Sequence, residues 1–274
     1  MKKLNANIGM AFLMVVSMLV ASFVAKPFKE QGLQAFENPN NILNILQIFV
    51  IIIIFTIFIL ILAKYKENLV RYIILFIFFI TALSIFQAFF YFIPYSFLAS
   101  IIISSIMLIL LIKHPEWYVI DFFGVFLAGG IAAIFAISLS IELIIILLVI
   151  MAIYDAISVY KTKHMITLAK SVTSSNLPLL LVFPKDARYS YKREKNFGGK
   201  DAVYMGLGDI VIPGMLVAAA SMQSVLAFFL TLAGVVVGFA ILMILIEKGP
   251  QPGLPYLNAG AITGYAIYLI INSI

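Results

Sequence analysis

Nine runs of apolar residues, each long enough to cross a lipid bilayer, leave this chain of 274 residues little choice of surroundings. A span needs about 17–25 such residues. The runs fall near 8–25, 42–63, 69–93, 95–112, 117–138, 141–159, 202–220, 224–246 and 254–273. Composition agrees: 64% of residues are hydrophobic, 11% are charged and the mean hydropathy is +1.14. A soluble domain is roughly half apolar and about a quarter charged. The expected fold is therefore all-α, a polytopic membrane protein of nine transmembrane helices.

Lys and Arg test that count, because they collect in alternate, cytoplasmic loops. With the N-terminus inside, 16 of the 18 fall on the cytoplasmic side, leaving only Lys26 and Lys29 outside. This parity predicts a multi-pass protein of the cell membrane, with its N-terminus and the 160–200 loop cytoplasmic and its C-terminus outside. A second reading of the first run is a cleavable signal peptide following Lys2 and Lys3, although 18 residues is long for such a core. The excess charge of +6 marks cytoplasmic loops rather than nucleic-acid binding. Cysteine is absent, so disulfides and thiolate metal sites are excluded, and His114 and His164 lie beside charged flanks.

One long hydrophilic insertion divides the chain. Residues 1–159 hold helices one to six, 160–200 form a basic loop, and 201–274 hold helices seven to nine. The loop carries nine basic residues against Asp186 and Glu194. Within it, Pro178 to Pro184 is a short apolar run bounded by prolines, expected to be extended or re-entrant, and Tyr189 to Gly199 is polar and expected to be mobile. Gly234 with Gly238, and Gly260 with Gly264, have the four-residue spacing that permits close helix contact.

Two aspartates lie inside the apolar runs, Asp155 in the sixth and Asp209 in the seventh. A charge in hydrocarbon costs at least ~2.5–3.5 kcal/mol, so it persists only beside a partner or a water-filled cavity. On continuous antiparallel helices, Asp155 would lie roughly 9 Å below the cytoplasmic surface, six residues before Lys161, and Asp209 roughly 12 Å below it, eight residues after Asp201. Two carboxyls a few ångströms apart in low dielectric cannot both ionise, so such a pair holds one proton between them. The pair then has a base to activate water and an acid to polarise a carbonyl. The same spacing also fits a cation or proton pathway, or two separate helix-packing hydrogen bonds. Asp121, near the start of its run, is expected at the interface. Gln47, Gln87, Ser104, Ser105, Thr231 and Asn258 are expected to hydrogen-bond between helices.

The words around the aspartates narrow the choice. Tyr154-Asp155, Gly206-Leu207-Gly208-Asp209 and Gln251-Pro252-Gly253-Leu254-Pro255 resemble, in order and placement, the three signatures of the intramembrane aspartyl proteases, the presenilin and signal peptide peptidase family. The resemblance covers spans six to nine by motif and the first five only as apolar spans, and is that of a compact prokaryotic homologue. It implies hydrolysis of peptide bonds within transmembrane segments, either signal peptide remnants or single-span proteins, by water and without metal or cofactor. Asp155 and Asp209 would be the catalytic pair. Tyr154, Gly206, Leu207 and Gly208 would shape the cleft, and Pro252, Gly253, Leu254 and Pro255 would support it and meet the substrate. An unwound substrate would pair its backbone with residues 176–184 or 251–255. The implied partners are transmembrane substrates and the lipid bilayer, with no nucleic acid, and a homo-oligomer stays open.

Two departures stand out. Gly253 replaces an alanine, and the charges put the 160–200 loop in the cytoplasm, as in presenilins, where signal peptide peptidases have it outside. His-Glu-x-x-His and Gly-x-Ser-Gly are absent, which excludes the metalloprotease and rhomboid types. A prepilin- or preflagellin-type peptidase shares the Gly-x-Gly-Asp aspartate but leaves Pro252 to Pro255 unexplained, and a cation leak through the cavity around the pair is the non-enzymatic alternative.

Overall fold

The computed structural model describes residues 5–274 except 52, 53, 55–57, 59–66, 163–179, 187, 188, 191–200, 248 and 274. Most of the basic loop lies outside these residues, and with it the expectations for Pro178, Leu179 and residues 191–199. The described helices are α1 (Ala6–Glu30), α2 (43–51), α3 (Glu67–Phe89), α4 (Ser96–Lys113), α5 (Trp117–Ser138), α6 (Ile141–Ile157), α7 (Leu207–Gln223), α8 (Val225–Ile246) and α9 (Leu254–Ser273). Among the described residues, seven of them are long and apolar enough to cross a membrane; α7 is shorter, and much of the second expected span lies outside the described residues.

The seventh expected span is shorter than its apolar run. Residues Ala202–Gly206 form a strand, β2, antiparallel to β1 (Leu180–Pro184), with Val182 opposite Tyr204. Val203 and Tyr204 favour extended backbone. Gly206 and Gly208 are poor helix formers, so the helix propagates only from Leu207. The partner strand lies some twenty residues back in the chain, out of reach of any local pattern.

The bundle is built around α1, α5 and α7. On α1, Met10, Met14 and Met18 recur every four residues and are fully buried, forming one inward stripe. The first apolar run is thus packed as a core helix. Gly129 of α5 lies against the Ser17 carbonyl and Val20 of α1, and Gly214 of α7 lies against Ala132 and Met18. Glycines at these crossings bring the three helices together at backbone distance. The α1 helix ends in a Schellman motif: Leu33 N–H donates to the Phe28 carbonyl at 3.0 Å and Gly32 N–H to Lys29 at 3.1 Å. Gly32 sits at φ 69°, the left-handed conformation that this motif requires.

Helices α8 and α9 pack through both glycine pairs. Gly234 faces the Gly260 carbonyl, Gly238 that of Tyr256, and Gly264 that of Leu230, so that backbone touches backbone. The expected close contact is present. Helix α9 in turn packs on α6 and α7, which places the three motif-bearing segments side by side. Asn258 bridges α9 and α6, donating from Nδ2 to the Leu148 carbonyl at 2.8 Å. Thr231, expected to bond between helices, instead donates to Ala227 one turn back in its own helix.

Candidate active site

Helix α6 delivers Asp155 near its C-terminal end, 4% exposed, just before a π-helical turn over Ser158–Thr162. Adjacent residues on a helix point about 100° apart. Tyr154 accordingly turns outward and is 61% exposed, beside Asp155 in sequence but on a different face.

Asp209 reaches the same region by another route. Strand β2 ends at Gly206, which is the N-cap of α7, and Asp209 is the third helical residue. Its carboxyl turns back to the Gly206 N–H, the half of a capping box in which an acidic residue at this position satisfies an orphan helix donor. Asp209 therefore stands in the first turn of α7, and the depth expected from an unbroken helix after Asp201 does not apply. A Cβ on Gly206 would fall 3.3 Å from Asp209 Oδ2. A Cβ on Gly208 would meet nothing within 4 Å. Leu207 is buried, reaching within 3.3 Å of where a Cβ on Gly124 would stand.

The segment before α9 joins the two carboxyls. Residues 250–253 have no regular structure and helix begins at Leu254. Proline at 252 and 255 and glycine at 253 suit an irregular entry of this kind. The Leu254 N–H donates to Asp155 Oδ2 at 3.0 Å, and the Gly253 N–H also approaches that carboxyl. The other side of Gly253 faces Asp209: a Cβ there would lie 3.5 Å from both Cγ and Oδ2. Asp155 and Asp209 are close enough to interact directly by their charges. Gly206, Gly253 and Leu254 thus gather around the aspartates, while Pro252 and Leu254 are buried and Pro255 is half-buried.

Two features escaped the sequence reading. Gln251 Oε1 accepts from Tyr160 Oη at 2.8 Å and from Tyr256 Oη at 3.3 Å, tying the π-helical end of α6 to the segment before α9. Asp121, expected at the interface, is enclosed within the protein. It is 3% exposed and accepts the Val182 N–H of β1 on Oδ1 at 2.7 Å. Its position inside an apolar run was the available signal, since an ionisable residue there is functional by default. Among the described residues no three His, Cys, Asp or Glu side chains are grouped to hold a metal ion.

This geometry has close counterparts. A solved structure of a presenilin family intramembrane aspartate protease superposes with a TM-score of 0.75 at 32% identity, covering 96% of this chain and 97% of that one. A second crystal form gives 0.76 at 29% identity over 97% and 99%. The signal peptide peptidase of Homo sapiens is 30% identical over 165 residues, 57% of this chain and 41% of the human protein. That of Mus musculus is 34% identical over 114 residues, 38% of this chain and 28% of the mouse protein. The chain therefore matches less than half the length of these two relatives. A sequence model described as "Signal-peptide peptidase, presenilin aspartyl protease" matches residues 10–274, so the chain belongs to that family.

Proposed function

We propose that this protein is an intramembrane aspartyl protease in which Asp155 and Asp209 are the catalytic pair. The observation that carries the reading is the junction at Gly253-Leu254, where one carboxyl is hydrogen-bonded by the Leu254 N–H and the other lies against the preceding residue. Two acids from different helices meet there, where an irregular segment passes into α9.

The chemistry follows from one shared proton. The ionised carboxyl takes a proton from water as its oxygen attacks the scissile carbonyl, while the protonated carboxyl donates to the carbonyl oxygen. Collapse of the tetrahedral intermediate breaks the C–N bond, and a proton passes to the leaving amine. Water is consumed and two peptide ends are released. Substrates on this reading are transmembrane segments of signal peptide remnants or single-span proteins, unwound locally to expose the bond.

An unwound substrate needs main-chain partners. The pairing expected with 176–184 or 251–255 meets competition, because the Val182 and Leu254 N–H groups are already engaged by Asp121 and Asp155. The outer edge of β2 is a second candidate, with the Gly206 N–H at its end already taken by the Asp209 carboxyl. Lys185 N–H donates to the Asp201 carbonyl at 2.8 Å, and antiparallel alternation from that pair turns the main-chain groups of alternate residues of β2 away from β1. That edge leads directly to Asp209.

Cell-membrane residence, with the N-terminus and 160–200 loop inside, remains the orientation favoured by the charges. The test of the function is incubation of the purified protein with a single-span substrate in liposomes and mass mapping of the products. New termini inside the span are expected. An intact substrate accompanied by cation flux through the liposomes would favour the leak pathway.

A further inference from the structure

Asp121 is a buried carboxylate that the proposed chemistry does not use. It stands in α5 among Ile120, Phe123 and Val125, all buried. Oδ1 takes the Val182 N–H across 61 positions of chain, and Oδ2 is buried without a hydrogen-bond partner among the described residues. A half-satisfied buried carboxyl is unfavourable compared with an apolar side chain of the same size. Packing alone would place a leucine here.

What the carboxyl does for β1 is specific. The Lys185–Asp201 bond fixes the alternation so that Leu181 and Phe183 bond toward β2 and Val182 turns away from it. Asp121 takes the N–H at the middle of β1 that β2 cannot reach. The strand's side chains are seated on α5 and α1. Leu181 fills the space over Gly124, where a Cβ would fall 2.5 Å from its Cδ2, and Phe183 packs over Gly9 of α1 and against Trp117, with ring centroids 5.9 Å apart. Both elements of this seat belong to the core of the bundle.

We infer that Asp121 is a positioning residue: by clamping Val182 it fixes β1, and through β1 the register of β2 and the placement of Asp209. Only Leu207 and Gly208 separate the end of β2 from Asp209. A slip of β1 along α5 would carry β2 with it and change which peptide bond meets the aspartates. This role rests on the proteolytic reading, whereas the clamp itself can be measured without it.

The experiment compares Asp121→Leu, Asp121→Asn and Val182→Pro by hydrogen exchange of the Leu180, Leu181, Val182 and Phe183 amides, the three other than Val182 serving for the proline variant, and by the masses of cleavage products. Asn keeps a carbonyl acceptor. Proline at 182 removes the donor at a point where no ladder bond is lost, and so breaks the same contact if Asp121→Leu does not fold. The Leu and Pro variants should exchange up to about tenfold faster in β1, as expected for loss of one buried hydrogen bond, and should cut at several adjacent bonds. Asp121→Asn should resemble the parent in both. Unchanged exchange in the Leu or Pro variant would overturn the clamp, and faster exchange with unchanged cut positions would overturn the positioning role. If the parent cuts no substrate, the proteolytic reading fails while the exchange result still judges the clamp.

Discussion

The main-chain N–H of Leu254 donates to Asp155 Oδ2 at 3.0 Å, although 99 positions of sequence separate the two residues. Backbone donors cannot be removed by ordinary side-chain replacement, but proline removes one. Leu254 is the first residue of α9, where proline's fixed φ is tolerated. Leu254→Pro should therefore retain the helix and lose the bond, whereas Leu254→Ala loses only packing. A hydrogen bond to a charged group contributes about 1.5–3 kcal/mol, so kcat/KM of the proline variant should fall roughly ten- to a hundredfold below that of the alanine variant. Equal rates would mean the bond is incidental.

Gly253 and Gly208 should respond oppositely to a larger side chain. A Cβ at 253 would stand 3.5 Å from Asp209 Cγ, an ordinary contact, so Gly253→Ala should keep near-parental activity. Gly208 faces open space. If that space admits substrate, Gly208→Leu should leave thermal stability unchanged and raise KM severalfold. Steady-state kinetics with a parallel unfolding measurement would separate the two effects.

How much of this was legible from sequence depends on how local each signal is. Asp155 and Asp209 announce themselves because a charge in an apolar run is rare and costly, and the Pro252 to Pro255 word is readable within a few residues. The β1–β2 hairpin was not, since it depends on pairing 180–184 with 202–206, and the continuous apolarity of 202–220 concealed the change from strand to helix. Asp121 was assigned to the interface because it stands near the start of its run. Its burial depends on β1 docking, which no periodicity in α5 encodes.

Acidity supplies a further test. One shared proton means that acid removes the base and alkali removes the acid, so the pH–rate profile should be bell-shaped. Cleavage rates in liposomes across pH, with helicity followed in parallel, measure this. A rate still rising at the alkaline end with the fold intact would point to a different base.

Orientation can be tested on a clean background, because the chain has no cysteine. Cysteines introduced at Lys192 and Lys248 should label from the cytoplasm, and one at Asn38 from outside, as the distribution of Lys and Arg requires. Labelling of position 192 from outside intact cells would reverse the assignment.

The central claim is that Asp155 and Asp209 act as one catalytic unit, and substrate cleavage by Asp155→Asn, Asp209→Asn and the double variant, each checked for parental helicity, tests it most directly. Each single variant should lose proteolysis, and the double variant should be no worse than either, as for residues that work together. Retention of more than a few per cent of activity by either folded single variant would contradict the account.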